Sequence, residues 1–459
     1  MASTYLRYTE GTSATDGKKF TFSAWIKRSK LGTDQTIFYN YINGSNFAQI
    51  YFRGSQKDIR YFDRVSGGDT CVGTTVPMLF NDVNGWYNIV LKVDTTQSAS
   101  ADKVQFYING EYLAFNFDNV PNTNQVLSLS GAGTRTIGAD NGGGNDFDGL
   151  MSYVALIDGT AESANIFGET DTTTGQWKIK TTITPSVAWG NTGFWILKDG
   201  NSVTDQSGNS NNFTVSGGTL TKTEDSPSNV FSTWNSLLSY GSTMSLANGN
   251  TTGNTSSSHE GSKFLSFYTS LGMTSGKYYA EFKITSNANQ SLIGISSNFG
   301  DDVLGSSSSA YNFIYKGNGW GYSGGNGKIF HTNSNTQMTY GNSLSNNDIL
   351  GVALDLDNLK LYFSKNGTWQ NSANPVTGSG DVVSAGAKAL NGSGSTGTYF
   401  FSCADTDQAA VCNIQANFGN GYFGTTAVSS AGTNASGIGI FEFDVPTGFT
   451  SLSTKGLNL

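Results

Sequence analysis

Charge is scarce in this chain: only 13% of its 459 residues are Asp, Glu, Lys or Arg, with 26 basic against 34 acidic side chains. The resulting net charge of −8 leaves no basic face to release counterions from a polyanion, which excludes nucleic acid as a natural partner. Histidine is rarer still, with His259 and His331 alone, and neither stands in a Ser or Cys nucleophile motif. The three cysteines, Cys71, Cys403 and Cys412, are odd in number and lack metal-ligand spacing, so they exclude a disulfide scaffold and a zinc site and read as buried free thiols. Long apolar runs are missing too. No segment approaches the ~20 residues of a membrane span, and the stretch from Met1 to Arg7 has no apolar core of signal-peptide length. The expectation is a protein made in a cytoplasm without membrane insertion.

Abundant Gly (58 residues) together with 13% aromatics suits short strands joined by many turns, and no stretch repeats apolar residues at helical spacing. The fold class expected is all-β. Phe20, Phe22, Ala24 and Ile26 alternate with Thr21, Ser23, Trp25 and Lys27, the pattern of a half-buried strand. Val104 to Ile108 runs into Asn109-Gly110, with Leu113, Phe115 and Phe117 alternating beyond, which predicts a hairpin on an Asn-Gly turn. A similar arrangement returns at Val352–Asp357, Leu359–Lys365 and Asn366-Gly367. The length suits two antiparallel jelly-roll β-sandwiches in tandem, over 1–180 and 232–459, joined by a polar connector over 181–231 that carries a few short strands.

Phe22–Lys27, Gly85–Val90, Phe106–Gly110 and Phe147–Leu156, in this order and spacing, resemble the laminin G-like, concanavalin A-like lectin family. Ser275–Phe282, Leu292–Ile295, Asp348–Asp357 and Leu361–Gly367 resemble a SPRY domain. Phe167–Asp171 with Gly175 and Trp177, Asp205–Asn209, Asp225–Phe231, Ala416–Gly419 and Val445–Phe449 resemble connectors of phage proteins, marine ones especially, that carry this tandem. The resemblance implies a virion component such as a tail fibre, head fibre or capsid decoration, assembled in the host cytoplasm. Its partners would be other phage structural proteins and a host-surface glycan or protein, and it implies a homo-oligomer, a trimer as in many phage fibres.

Catalysis is not expected. A glycoside hydrolase needs two carboxylates flanking the scissile bond, and the glucanase pattern Glu-x-Asp-x-x-Glu is absent, Glu169-Thr170-Asp171 being followed by three threonines. Asp355 and Asp357 share a strand face before a hairpin and read as turn caps. For sugar binding, Trp320, Tyr322 and Asn326, with Tyr311 upstream and Trp369 after the second hairpin, supply aromatic faces beside an amide. The competing reading puts Trp320 or Tyr322 in the core. Asp140, Asn145, Asp146 and Asp148 gather carboxylates and an amide on a Gly-rich loop that suits either calcium, with its six to eight oxygen ligands, or a plain turn. No other cofactor is expected. Two rivals to adhesion remain open, a purely architectural role in the particle and polysaccharide hydrolysis.

Overall fold

The computed structural model describes residues 4–75, 78–238, 245–255, 266–298, 313–314, 318–331, 336–392, 394–405 and 411–459. The chain is all-β and divides into two compact units, Met1–Lys222 and Thr223–Leu459. Among the described residues, no helix is long and apolar enough to cross a membrane.

The strands of the first unit are β1 (Tyr5–Thr9), β2 (Lys19–Arg28), β3 (Gln35–Asn43), β4 (Asn46–Phe52), β5 (Ile59–Val65), β6 (Gly68–Thr74), β7 (Tyr87–Asp94) and β8 (Val104–Ile108). They continue with β9 (Glu111–Leu113), β10 (Asn116–Asn119), β11 (Thr134–Ile137), β12 (Gly149–Asp158), β13 (Gly168–Thr170), β14 (Trp177–Ile179), β15 (Phe194–Ile196) and β16 (Thr214–Gly217). Among the described residues, one sheet runs β10-β6-β5-β4-β3-β11-β1-β16 and the facing one β15-β12-β2-β7-β8-β9. Phe22, Ile89 and Phe106 of the second sheet meet Phe38, Ile50 and Tyr61 of the first in a shared core, where Phe22 stacks on Phe38 at 4.9 Å. Residues 181–222, in the stretch read as a connector, supply β15 and β16 to these sheets.

Alternation along β2 misleads on one point. Phe20, Phe22, Ala24 and Ile26 are fully buried, but Thr21, Ser23, Trp25 and Lys27 are at most 3% exposed, so the strand is buried on both faces. The cause lies far along the chain. A strap over residues 160–190 packs Ala164, Phe167 and Ile183 against Val90, Ala155 and Trp195, and Glu162 donates its backbone N–H to Thr21 Oγ1 at 2.7 Å. The predicted hairpin forms with Asn109 (φ 50°) and Gly110 (φ 81°) in the left-handed region. Its second strand ends at Leu113, however, and Phe117 crosses to pair with β6 in the other sheet.

In the second unit the strands are β17 (Ser245–Ala247), β18 (Thr252–Asn254), β19 (Ser266–Tyr268), β20 (Lys277–Ser286), β21 (Ser291–Ser296), β22 (Gly319–Ser323), β23 (Lys328–His331) and β24 (Thr336–Thr339). Then come β25 (Ile349–Asp355), β26 (Lys360–Lys365), β27 (Thr368–Trp369), β28 (Phe400–Asp405), β29 (Asn413–Asn417), β30 (Tyr422–Phe423), β31 (Thr426–Ala427) and β32 (Thr450–Ser451). Among the described residues, the sheets run β17-β18-β29-β20-β25-β26-β27, with β32 added to β20, and β19-β28-β21-β22-β23-β24. Phe282, Val352 and Leu354 face Ile293, Trp320 and Phe401 across the core. A second strap lays Phe441, Val445 and Phe449 over Tyr279, Ala353 and Tyr362 on the outer face. Asp355 and Asp357 cap turns by accepting the backbone N–H of Asn358 and Gly276, and all three cysteines are buried and free.

Each unit also locks a covering segment with a buried acid two residues after a tyrosine. Asp63 accepts the Tyr61 hydroxyl (2.8 Å) and the backbone N–H of Ser128 and Leu129. Glu281 accepts the Tyr279 hydroxyl, the backbone N–H of Glu442 and Phe443 (both 2.8 Å) and the Asn417 amide. Burial pushes both carboxyls up to about 7 against the pull of these donors. The ends of each unit pair with one another: β1 with β16, and Val230–Ser232 with Leu452–Thr454.

Candidate functional site

With the straps in place, the outer face of the eight-stranded sheet in the first unit still carries partly exposed aromatic rings. Along β4 and β5, Ala48, Ile50, Ile59 and Tyr61 point into the core, so Phe47, Gln49, Tyr51, Arg60, Phe62 and Arg64 point outward. A bulge in β3 between Thr36 and Phe38 resets its alternation, placing Tyr39 and Tyr41 on the same outer face. Pairing then sets Tyr39 opposite Gln49 and Gln49 opposite Phe62, and in the next row sets Tyr41 opposite Phe47 and Phe47 opposite Arg64.

The rings form a ladder across three strands. Tyr39 and Phe47 lie 5.8 Å apart with planes 10° from parallel, and Phe47 and Phe62 lie 5.5 Å apart at 26°. The Arg64 guanidinium lies 5.3 Å from the Phe47 ring centre and 5.6 Å from that of Phe62, and its Nε and Nη2 both reach Asp69. That cation–π contact holds a flat cation against the rings. Beside it, the Gln49 amide donates to Thr36 Oγ1 at 2.7 Å. Burial first, then Asp140 and Tyr41, push the Tyr39 hydroxyl up to about 12, so it stays a neutral donor and acceptor.

The Asp140–Asp148 loop borders this face, tied to it by Thr36 N–H donating to the Asn145 carbonyl (2.7 Å) and Arg7 Nη2 donating to the Asn141 carbonyl (2.8 Å). Its first carboxylate is spent inside the loop. Asp140 accepts the backbone N–H of Gly142 and Gly144 and the Asn145 amide, the geometry of a self-capped turn. Burial raises the Asp148 carboxyl, Lys30 and Ser29 partly offset the rise, and Asp146 adds to it. Among the described residues, no group of three or more His, Cys, Asp or Glu side chains is placed to hold a metal ion.

The aromatic residues singled out in the second unit do not form a stacking surface. Trp320 and Tyr322 both lie in the core at 0% exposure, Trp320 Nε1 donating to the Lys388 carbonyl (2.8 Å) and the Tyr322 hydroxyl to that of Asn342. They share the inward face because Gly321 between them faces outward, against Leu292 and Ile314. Asn326 is exposed and caps the turn into β23 by accepting the Lys328 N–H. Trp369 is partly buried edge-on to Tyr279 and Tyr362 beside the second strap, and Tyr311 lies outside the described residues. Sequence reasoning missed Tyr39, Phe47 and Phe62. The available signal was that β3 to β5 carry aromatics on both faces, more than a sandwich core can take from one side.

Residues 2–167 match the model of the concanavalin A-like lectin/glucanases superfamily, and residues 277–383 match that of the SPRY domain. The chain therefore carries one domain of each kind, both jelly-roll-type sandwiches, and the aromatic ladder belongs to the first. No curated protein matches the chain. Similar solved structures include the SPRY domain of human HERC1, at 15% identity and TM-score 0.28, over 40% of this chain and 96% of that one. Another is the native heptameric SAP-like pentraxin from Limulus polyphemus, at 18% identity and TM-score 0.27, over 35% of this chain and 72% of that one.

Proposed function

We propose that this is a non-enzymatic recognition protein that binds a glycan on the Tyr39–Phe47–Phe62 face, displayed on a bacteriophage particle as part of a tail fibre, head fibre or similar structure. The observation that carries the reading is the ladder itself: the partly exposed rings of Phe47 and Phe62 beside the buried Tyr39, with an amide and a guanidinium around them, in a lectin-type domain. Pyranose rings offer an apolar C–H face for such aromatics and hydroxyls for such polar groups. Several connector segments resemble those of phage proteins, which supports the virion setting. Against hydrolysis, Glu169 and Asp171 sit on the short β13–β14 hairpin with Lys180 and Lys178 as ion-pair partners.

An architectural reading draws on the same face, because Tyr and Arg are also the residues that anchor protein–protein interfaces. A glycan array probed with the full chain separates the two. Binding that Phe47→Ala and Phe62→Ala each weaken at least tenfold, with little change in thermal stability, is the expected result. No glycan bound, together with cryo-electron microscopy showing this face packed on a neighbouring particle protein, would leave the architectural role.

A further inference from the structure

Among the described residues, strands β3 to β6 turn two cations onto the ladder face, Arg60 and Arg64, and each has a carboxylate at its side. Arg64 lies opposite Asp69 on β6 and donates to its Oδ1 from both Nε (2.8 Å) and Nη2 (2.6 Å). Those two N–H groups form the edge that grips a carboxylate side-on, so that edge is taken. Arg60 Nη2 stands 3.6 Å from Oδ2 of Asp118 on β10, a looser pair. The Asp69 and Asp118 side chains are 41% and 67% exposed, so a ligand lying on this face meets both acids. Toward β1 the face gains no unpaired cation. Arg7 donates to the Asn141 carbonyl, on the loop that also brings Asp140 and Asp146, and burial followed by Asp140 pushes the Tyr39 hydroxyl up. The whole chain, at a net charge of −8, repels an approaching anion as well.

Resting on glycan binding at Phe47 and Phe62, we propose that the ligand is uncharged: the face takes neutral hexopyranose chains and rejects those that carry uronate or sulfate groups, because Asp69 and Asp118 already hold its two arginines. An acidic sugar brought here would shed water from its own charge beside two carboxylates and find no open guanidinium edge in return. A neutral sugar meets the same carboxylates as hydrogen-bond acceptors for its hydroxyls, next to the Gln49 amide. The acids therefore serve as acceptors for one class of glycan and as a barrier to the other.

An array of neutral hexopyranose oligosaccharides, each printed beside its uronate and its 6-sulfate counterpart and probed with the full chain, tests this. The native sequence is expected to bind the neutral member of a pair about tenfold or more tightly than the acidic ones, with Phe47→Ala weakening that binding. Asp69→Asn keeps the side-chain shape but uncovers Arg64, and is expected to cut the preference for the neutral member about fivefold or more. Asp118→Asn should act in the same direction and less strongly, through the looser Arg60 pair. Asp171→Asn, which removes a charge paired with Lys178 on the β13–β14 hairpin, should leave the preference unchanged. Acidic members bound as tightly as neutral ones, with the binding lost in Phe47→Ala, would overturn the charge selection and leave glycan recognition standing. A preference untouched in both Asp69→Asn and Asp118→Asn would also overturn it. Binding of no glycan, or binding indifferent to Phe47→Ala, would remove the recognition itself.

Discussion

Replacing Glu281 by alanine removes one carboxylate and strands four donors: the backbone N–H groups of Glu442 and Phe443, the Tyr279 hydroxyl and the Asn417 amide. The hydroxyl and amide have rotatable bonds and can turn away. The two backbone groups can find water only if the strap lifts, which would expose Phe441, Val445 and Phe449 at about 1.5 to 3 kcal/mol each. Leaving two donors unpaired costs about 1 to 3 kcal/mol apiece, which is cheaper. Glu281→Ala is therefore expected to destabilise the second unit by about 3 to 5 kcal/mol with the strap still docked, a large share of a domain's ~5 to 15 kcal/mol. Glu281→Gln keeps one acceptor oxygen and should cost about half as much. Urea unfolding of the full chain measures the loss, and hydrogen exchange at Glu442 and Phe443 reports whether the strap stays down. A Glu281→Ala protein within about 1 kcal/mol of the parent, or a Gln variant as damaged as the Ala one, would refute this account.

Asp63 gives the pH dependence. Its carboxyl titrates near 7 when folded, above its unfolded value of ~4, so the native state holds the proton more tightly. That contribution is complete below pH ~4 and is lost as pH rises through 7, at up to about 1.4 kcal/mol per pH unit. Denaturant midpoints measured from pH 5 to 7 should fall for the first unit, and Asp63→Asn, which keeps a carbonyl for Ser128 and Leu129, should remove that contribution to the slope. Gly110→Ala meets both a left-handed φ of 81° and the Trp177 ring, 2.3 Å from the added carbon, whereas Gly175 (φ 72°) has open space. Calorimetry should show Gly110→Ala costing about 2 kcal/mol or more and Gly175→Ala about 1 kcal/mol; equal losses would mean that Trp177 yields freely.

Local rules carried much of the fold into the sequence. Asn109-Gly110 and Asn366-Gly367 specify left-handed turns by chemistry, and the alternation of Phe20 to Ile26 names the core face of β2. What local pattern cannot carry is coverage from a distance. Thr21 and Ser23 read as solvent-facing because the strap that buries them begins about 140 residues later. The site was hidden for the opposite reason. Trp320 and Tyr322 drew notice as large rings beside glycines, yet Gly321 is where the outer face is covered and the rings turn inward. Tyr39, Phe47 and Phe62 are interleaved with equally apolar neighbours that do fill the core, and on β3 a bulge is what turns Tyr39 to the same face as Phe47 and Phe62.

The pairing of each unit's two ends has a mechanical side. Tyr5 at the start of β1 lies opposite Gly217 at the end of β16, and Val230 meets Thr454 at the outer end of the second closure. A pull applied along the chain therefore loads each ladder from a single end, so its hydrogen bonds break in succession instead of sharing the load in shear. Under tension these units should peel open at low force, and any attachment they support would need its strength from many copies pulling together.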